Sequence, residues 1–156
     1  MINFKAAIHT TVLVVNDDVR QLELHALRME LSGFSVITAV GPGEAISIMN
    51  EASSRRVDVA VIDYHMPVMN GCILAVYLKT RYPQMKVVLY SGAIDISEDE
   101  LTSVDAFISK SEGLGSLLVT ITEVRQMGPE KSPIFMVENN AETPVANQFC
   151  RVRRLA

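Results

Sequence analysis

A chain of 156 residues has room for one core of ordinary size, and any surplus is too short to build a second. Apolar residues make up 49% and charged residues 21%, which excludes wholesale disorder. A formal charge of −4, a pI near 5.3 and the absence of tryptophan argue against broad attachment to nucleic acid or anionic lipid, and against an aromatic platform for single strands.

Residues 1–9 read as a lead-in that lacks the long apolar stretch of a signal peptide. Thr11–Val15 is the first of five short apolar runs; the others are Phe34–Val40, Val57–Ile62, Lys86–Tyr90 and Ala106–Ser109. None approaches the roughly 18 residues that a membrane span needs. All five are near-continuously apolar, the pattern of strands covered on both faces. Helical stripes lie between and after them. Leu24, Leu27 and Leu31 form the first, with Met29 nearby, charges opposite and Gly33 as a stop. Ala45, Ile46, Met49 and Ala52 follow Gly41-Pro42-Gly43. Ile73, Leu74, Tyr77 and Leu78 are closed off by Pro83. Ser97 and Glu100 have capping-box spacing and start a short acidic helix. Leu117, Leu118, Ile121 and Val124 make the last stripe. Strand and helix thus alternate five times, which predicts a parallel sheet with helices on both faces and right-handed crossovers.

From Gln126 the period is lost. Gly128-Pro129-Glu130-Lys131-Ser132-Pro133 is a breaker cluster, and Pro133–Glu138 is a candidate short strand. Residues 10–125 therefore form the predicted domain, and 126–156 an appendage without its own core. Arg151, Arg153 and Arg154 make a basic cluster too short for nucleic-acid binding. Cys72 and Cys150 match neither a metal spacing nor a disulfide framework, which points to a reducing, cytoplasmic setting.

In an open α/β sheet, ligands bind beyond the carboxyl ends of the strands. The residues there are Asn16-Asp17-Asp18 after the first strand, Asp63 after the third, Ser91-Gly92 after the fourth and Lys110 after the fifth. Carboxylates, a hydroxyl and an ammonium gather on one edge. Two neighbouring carboxylates repel unless a cation intervenes, and an oxygen-only site with room for water suits Mg²⁺. Lysine and a hydroxyl suit a phosphoryl group, whose transfer depends mostly on positioning and charge.

Val12–Asp18, Asp63-Tyr64-His65-Met66-Pro67-Val68-Met69-Asn70-Gly71, Ser91-Gly92 and Phe107-Ile108-Ser109-Lys110 together resemble the receiver domain of bacterial two-component response regulators, over roughly Thr10 to Arg125. The resemblance implies a flavodoxin-like doubly wound fold with five parallel strands in the order 2-1-3-4-5. It implies that Asp63 is the phosphoacceptor. Asp17, Asp63 and the backbone carbonyl of His65 would hold Mg²⁺. Ser91 and Lys110 would contact the phosphoryl group, and Ser91 and Phe107 would form the switch. The implied partner is a sensor histidine kinase or a histidine phosphotransfer protein, with a homodimer possible and no direct contact with nucleic acid or membrane. Output would be by protein contact or onward phosphotransfer, not by an enzyme.

The sequence also departs from the family. Asn16 stands where the first acid of the usual pair is expected, so weakened Mg²⁺ binding is implied. Ser111 stands where proline is common. Asp18 reads as a helix cap. His65 is expected to matter through its carbonyl, with a modulating side chain as the alternative. His9 and His25 carry no signal, and His25 is expected on a helix surface. Cys72 is expected to be buried rather than reactive. Two rival functions stand beside the switch. One is a degenerate receiver that binds partners without phosphorylation, for which Asn16 speaks. The other is an aspartate-nucleophile phosphatase, which needs a general acid where His65 stands.

Overall fold

Residues 10–51, 56–93, 95–128 and 134–136 are described by the computed structural model. The apolar runs form strands β1 (Thr11–Val15), β2 (Ser35–Ala39), β3 (Val59–Ile62), β4 (Lys86–Ser91) and β5 (Ala106–Ser109), each a little trimmed or shifted from its sequence run. All pair in parallel in the order β2-β1-β3-β4-β5, the expected doubly wound arrangement. A sixth strand, β6 (Ile134–Met136), lies parallel against β5 with Phe135 opposite Phe107. The sheet therefore has six strands rather than the expected five. Residues 134–136, beyond Arg125, thus add a strand to the domain's own sheet. His9, Ala52, Cys150 and the Arg151–Arg154 cluster lie outside the described residues.

The helices are α1 (Val19–Leu31), α2 (Pro42–Glu51), α3 (Gly71–Arg81) and α4 (Gly113–Gln126). Alternate strand residues enter two separate cores. Leu13, Val15, Ala60, Ile62, Val87, Leu89 and Phe107 pack with α2 and α3 on one face. Val12, Val14, Val59, Val61, Val88, Tyr90 and Ile108 pack with α1 and α4 on the other. Both faces are covered, which is why the strands show no polar alternation. The link from β4 to β5 holds only a short 3₁₀ turn, Glu100–Ser103, in place of a full helix.

The first helix differs from the expected pattern. Leu24, Leu27 and Leu31 are exposed, Leu31 by 73%, while Leu22, His25, Ala26 and Met29 face the core. The cause is rotational phase. Only three residues separate β1 from α1, and the Asp18 side chain caps the helix by accepting from the N–H groups of Arg20 and Gln21. That fixed start turns Leu22 and Met29 inward, and the small Ala26 lets the helix approach the sheet.

His25 is accordingly buried instead of lying on the surface. Its ring meets Tyr90 edge-on at 5.3 Å between centroids and 62° between planes. Burial, and then the charge of Lys110, hold its pKa below the ordinary 6.5, so the folded protein favours the neutral imidazole. The stability this contributes is fully present above pH 6.5 and is lost as pH falls from there through the lowered folded value. Denaturation midpoints should therefore decline as pH falls below about 6.5, and His25→Phe, which keeps the ring packing, should flatten that decline. Equal slopes in both proteins would place the titrating group elsewhere.

Candidate functional site

β1 and β3 lie side by side at the sheet centre, and β2 departs on the far side of β1. This is the point where strand order reverses and a crevice opens at the carboxyl edge. Asp63 follows β3, and its N–H donates to the Val15 carbonyl at 3.0 Å, which ties it to the end of β1. Lys110 follows β5 and donates to Asp63 Oδ2 at 2.9 Å. Both side chains are largely enclosed, at 11% exposure for Asp63 and 26% for Lys110. The two residues that carry most of the predicted chemistry are thus in direct contact, although 47 positions separate them.

Lys110 has a second partner that the sequence did not reveal. It donates to Gln21 Oε1 at 2.6 Å. Gln21 Nε2 donates in turn to Asp18 Oδ2 at 3.1 Å, and Asn16 Nδ2 reaches Gln21 Oε1 at 3.5 Å. Gln21 belongs to no motif, and only its place one turn into α1 beside the crevice brings it to Lys110. Asp18 acts as the expected cap, and its hydrogen bonds, chiefly from Gln21, hold its carboxyl below the ordinary value. Asn16 is buried, with its Oδ1 accepting from the Asp18 N–H at 2.9 Å. Asp17 is exposed and makes no hydrogen bond among the described residues.

The segment after Asp63 is a tight loop. Met69 N–H donates to the Pro67 carbonyl at 2.9 Å across Val68, whose φ is +77°. This is a γ-turn in its rarer, strained form, and a β-branched residue pays heavily for a positive φ. Asn70 then caps α3 by accepting from Ile73 N–H at 3.0 Å. Gly71 is fixed by space: a Cβ there would clash with the Asp63 carbonyl oxygen and lie 2.9 Å from Leu89 Cδ1. Its N–H donates to the Tyr64 carbonyl at 2.8 Å. The His65 ring is exposed and meets Tyr64 edge-on.

Tyr64 ties two loops together. Its hydroxyl donates to Glu100 Oε1 at 2.7 Å, while Glu100 Oε2 accepts from Ser97 N–H and Oγ. The Ser97–Glu100 capping box therefore forms, although it opens only one 3₁₀ turn. The bond to Glu100 is the main cause that pushes the Tyr64 phenol up to about 12 and lowers the Glu100 carboxyl. Ser91, at the end of β4, is buried and its Oγ accepts from Ala93 N–H at 3.2 Å, with no hydrogen bond to Asp63 among the described residues. Phe107 is buried on the α3 face of β5. Ser111 earns its place by pairing with Ser109, Oγ to Oγ at 2.7 Å, which closes the turn that carries Lys110. Cys72 is buried, and burial above all pushes its thiol up to about 11, as far from reactive as the sequence reading held.

Comparison with known proteins settles the family. Residues 12–122 match the model of the response regulator receiver domain. The chain belongs to that family. The cyclic di-GMP phosphodiesterase of Thermotoga maritima is 31% identical over 147 residues, covering 85% of this receiver and 38% of that protein. The transcriptional regulatory protein PrrA of Mycobacterium bovis is 33% identical over 95 residues, covering 61% of this chain and 39% of the relative. The receiver thus spans less than two fifths of the length of these relatives. Among solved structures, the response regulator TrrA of Thermotoga maritima, crystallised with Mg²⁺ and beryllofluoride, superposes with a TM-score of 0.67 at 22% identity, covering 74% of this chain and 98% of its own. TrrA has also been solved in complex with the histidine kinase ThkA, where it superposes with a TM-score of 0.65.

The donors present at the receiver's edge suit Mg²⁺. Asp63 keeps one carboxylate oxygen clear of Lys110, Asp17 is unpaired among the described residues, and both are hard oxygen ligands for an ion that retains several waters. Asn16 fits less well, since its carbonyl oxygen already serves the Asp18 N–H.

The glycine contact gives a direct test of how Asp63 is seated. Gly71→Ala should destabilise the receiver by about 1–3 kcal/mol, the usual cost of overpacking, and should move the Asp63 backbone. Thermal melts and amide shifts around residue 63 measure both, and a variant with unchanged stability would contradict the close approach.

Proposed function

We propose that this receiver is a phosphorylation-dependent signalling switch. It takes a phosphoryl group from a phosphohistidine of a sensor kinase or phosphotransfer protein onto Asp63. The observation that carries this reading is the 2.9 Å pair between Lys110 Nζ and Asp63 Oδ2 at the reversal point of the sheet. In the transfer, the Asp63 oxygen not held by Lys110 forms the new bond to phosphorus. The phosphorus–nitrogen bond breaks, and its electron pair stays with the histidine. Lys110 holds the carboxylate in place and then pairs with phosphoryl oxygens. Asp17, Asp63 and the His65 carbonyl would hold Mg²⁺, with Asn16 as a weakened fourth contributor. When bound, the ion offsets the negative charge that gathers in the transfer.

The product adds charge at Asp63, and that charge shifts the population between two conformations. Ser91 exchanges its bond to Ala93 N–H for the phosphoryl group, and Phe107 follows it. The changed surface binds a downstream protein, or the group passes onward. TrrA crystallised with a kinase supports a kinase as the donor, and a cytoplasmic setting belongs to the same reading. No helix among the described residues is long and apolar enough to cross a membrane.

Acetyl phosphate with millimolar Mg²⁺ should add one phosphoryl group to the chain, and Asp63→Asn should abolish the gain in intact mass. Beryllofluoride should shift the amides of Ser91 and Phe107. Neither a mass gain nor a shift would leave the second reading, an interaction module independent of phosphorylation, which Asn16 favours. Asn16→Asp should tighten Mg²⁺ binding about tenfold, towards the lower end of what an outer-shell ligand contributes. Titration of amide shifts with Mg²⁺ measures it, and unchanged affinity would remove residue 16 from the metal's surroundings.

A further inference from the structure

The opposite end of the sheet carries a second polar site. A cleft of about 470 Å³ opens where β3, β4 and β5 begin and where α3 and α4 end. Four cations line it, Arg56, Lys79, Lys86 and Arg125, against two carboxylates, Asp58 and Asp105. The lining therefore holds a surplus of two positive charges (4 − 2) in a chain of net −4. Counting about half a negative charge at each of the two helix C-termini still leaves about one.

The two acids are committed to the fold. Asp58 Oδ2 accepts from Thr11 N–H at 2.9 Å. Asp105 Oδ2 accepts from Val87 N–H at 2.8 Å and from Lys79 at 2.9 Å. The cations are less well served. Arg125 Nε is shut off from solvent and makes no hydrogen bond, with Asp58 Oδ1 at 3.6 Å. Lys86 Nζ comes no nearer than 4.0 Å to Asp105, although its side chain is only 16% exposed. Arg125 thus has one donor nitrogen out of water without a full hydrogen bond, the Lys86 ammonium has no hydrogen-bond partner among the described residues, and both border the same cleft.

We infer that this cleft binds a compact dianion of the phosphate class, either the free ion or the phosphate of a small phosphomonoester. Its oxygens accept charge-assisted hydrogen bonds from the Lys86 ammonium and from the guanidinium of Arg125, whose side chain is 30% exposed, and Arg56, 83% exposed and 3.3 Å from Asp58 Oδ1, adds charge at the mouth. The volume falls within the range of small-molecule sites. The site is separate from the phosphoryl chemistry, because Asp58, Lys86 and Asp105 stand at the amino ends of the strands and Asp63, Ser91 and Lys110 at the carboxyl ends.

Amide shifts of the full chain, titrated with inorganic phosphate and in parallel with adenosine monophosphate, test this. The expected result is saturable shifts at Lys86, Asp105 and Met127 with at least one probe; tighter binding of the nucleotide assigns a phosphomonoester, and tighter binding of phosphate the free ion. Arg125→Gln and Lys86→Gln should each weaken binding about tenfold, with melting curves to confirm folding. Arg56→Gln, at an exposed position, should weaken it about twofold and covers the case in which the other variants unfold. No saturable shift with either probe, shifts confined to residues near Asp63 and Lys110, or binding unaltered in folded variants would overturn the inference.

Discussion

One enclosed ion pair, Lys110 to Asp63, organises the carboxyl edge. Its Coulomb attraction is large, about 4 kcal/mol or more at this separation for an effective dielectric near 20, yet removing both charges from water offsets much of it. The pair therefore matters less for net stability than for position. It fixes one carboxylate oxygen and leaves the other clear. It holds only because neighbouring groups satisfy the rest of the lysine: Gln21 accepts at 2.6 Å, and Asp18 and Asn16 hold Gln21 in turn. A substitution in the first turn of α1 can thus reach Asp63 without touching it.

Two contacts seat Asp63 from below and one couples it sideways. The Val15 carbonyl anchors its N–H, and Gly71 permits α3 to start directly against its carbonyl. Tyr64, the next residue, reaches across to Glu100 in the turn that follows β4. The loop that begins at Asp63 and the loop that follows Ser91 are therefore stitched by a short hydrogen bond. In the proposed switch, a movement of Ser91 would pull on the same segment that holds Asp63, a mechanical link besides the electrostatic one.

What the sequence disclosed divides along physical lines. Strands such as Val12–Val15 were legible because a parallel sheet buries both faces, and the residues just past their ends follow from the topology alone. Asp63, Ser91 and Lys110 were readable for that reason, as was the Asp18 cap. The inward face of α1 was not, since both faces carry apolar residues and only the short link from β1 fixes the phase. His25 was misread with it. Gln21 was invisible because its partner lies 89 positions away and no local pattern marks a hydrogen-bond acceptor. The strand at Ile134–Met136 was visible as a short apolar run, but its place in the sheet depends on α4 returning the chain beside β5.

That added strand changes the standing of β5. Ala106-Phe107-Ile108-Ser109 contains no charge and no proline, the features by which an outermost strand usually discourages pairing with a foreign chain. With β6 alongside, the main-chain groups on its outer side are already engaged, and β5 is an interior strand. The chain thus guards by coverage what its sequence leaves unguarded, and the strand that carries Phe107 is kept from templating aggregation.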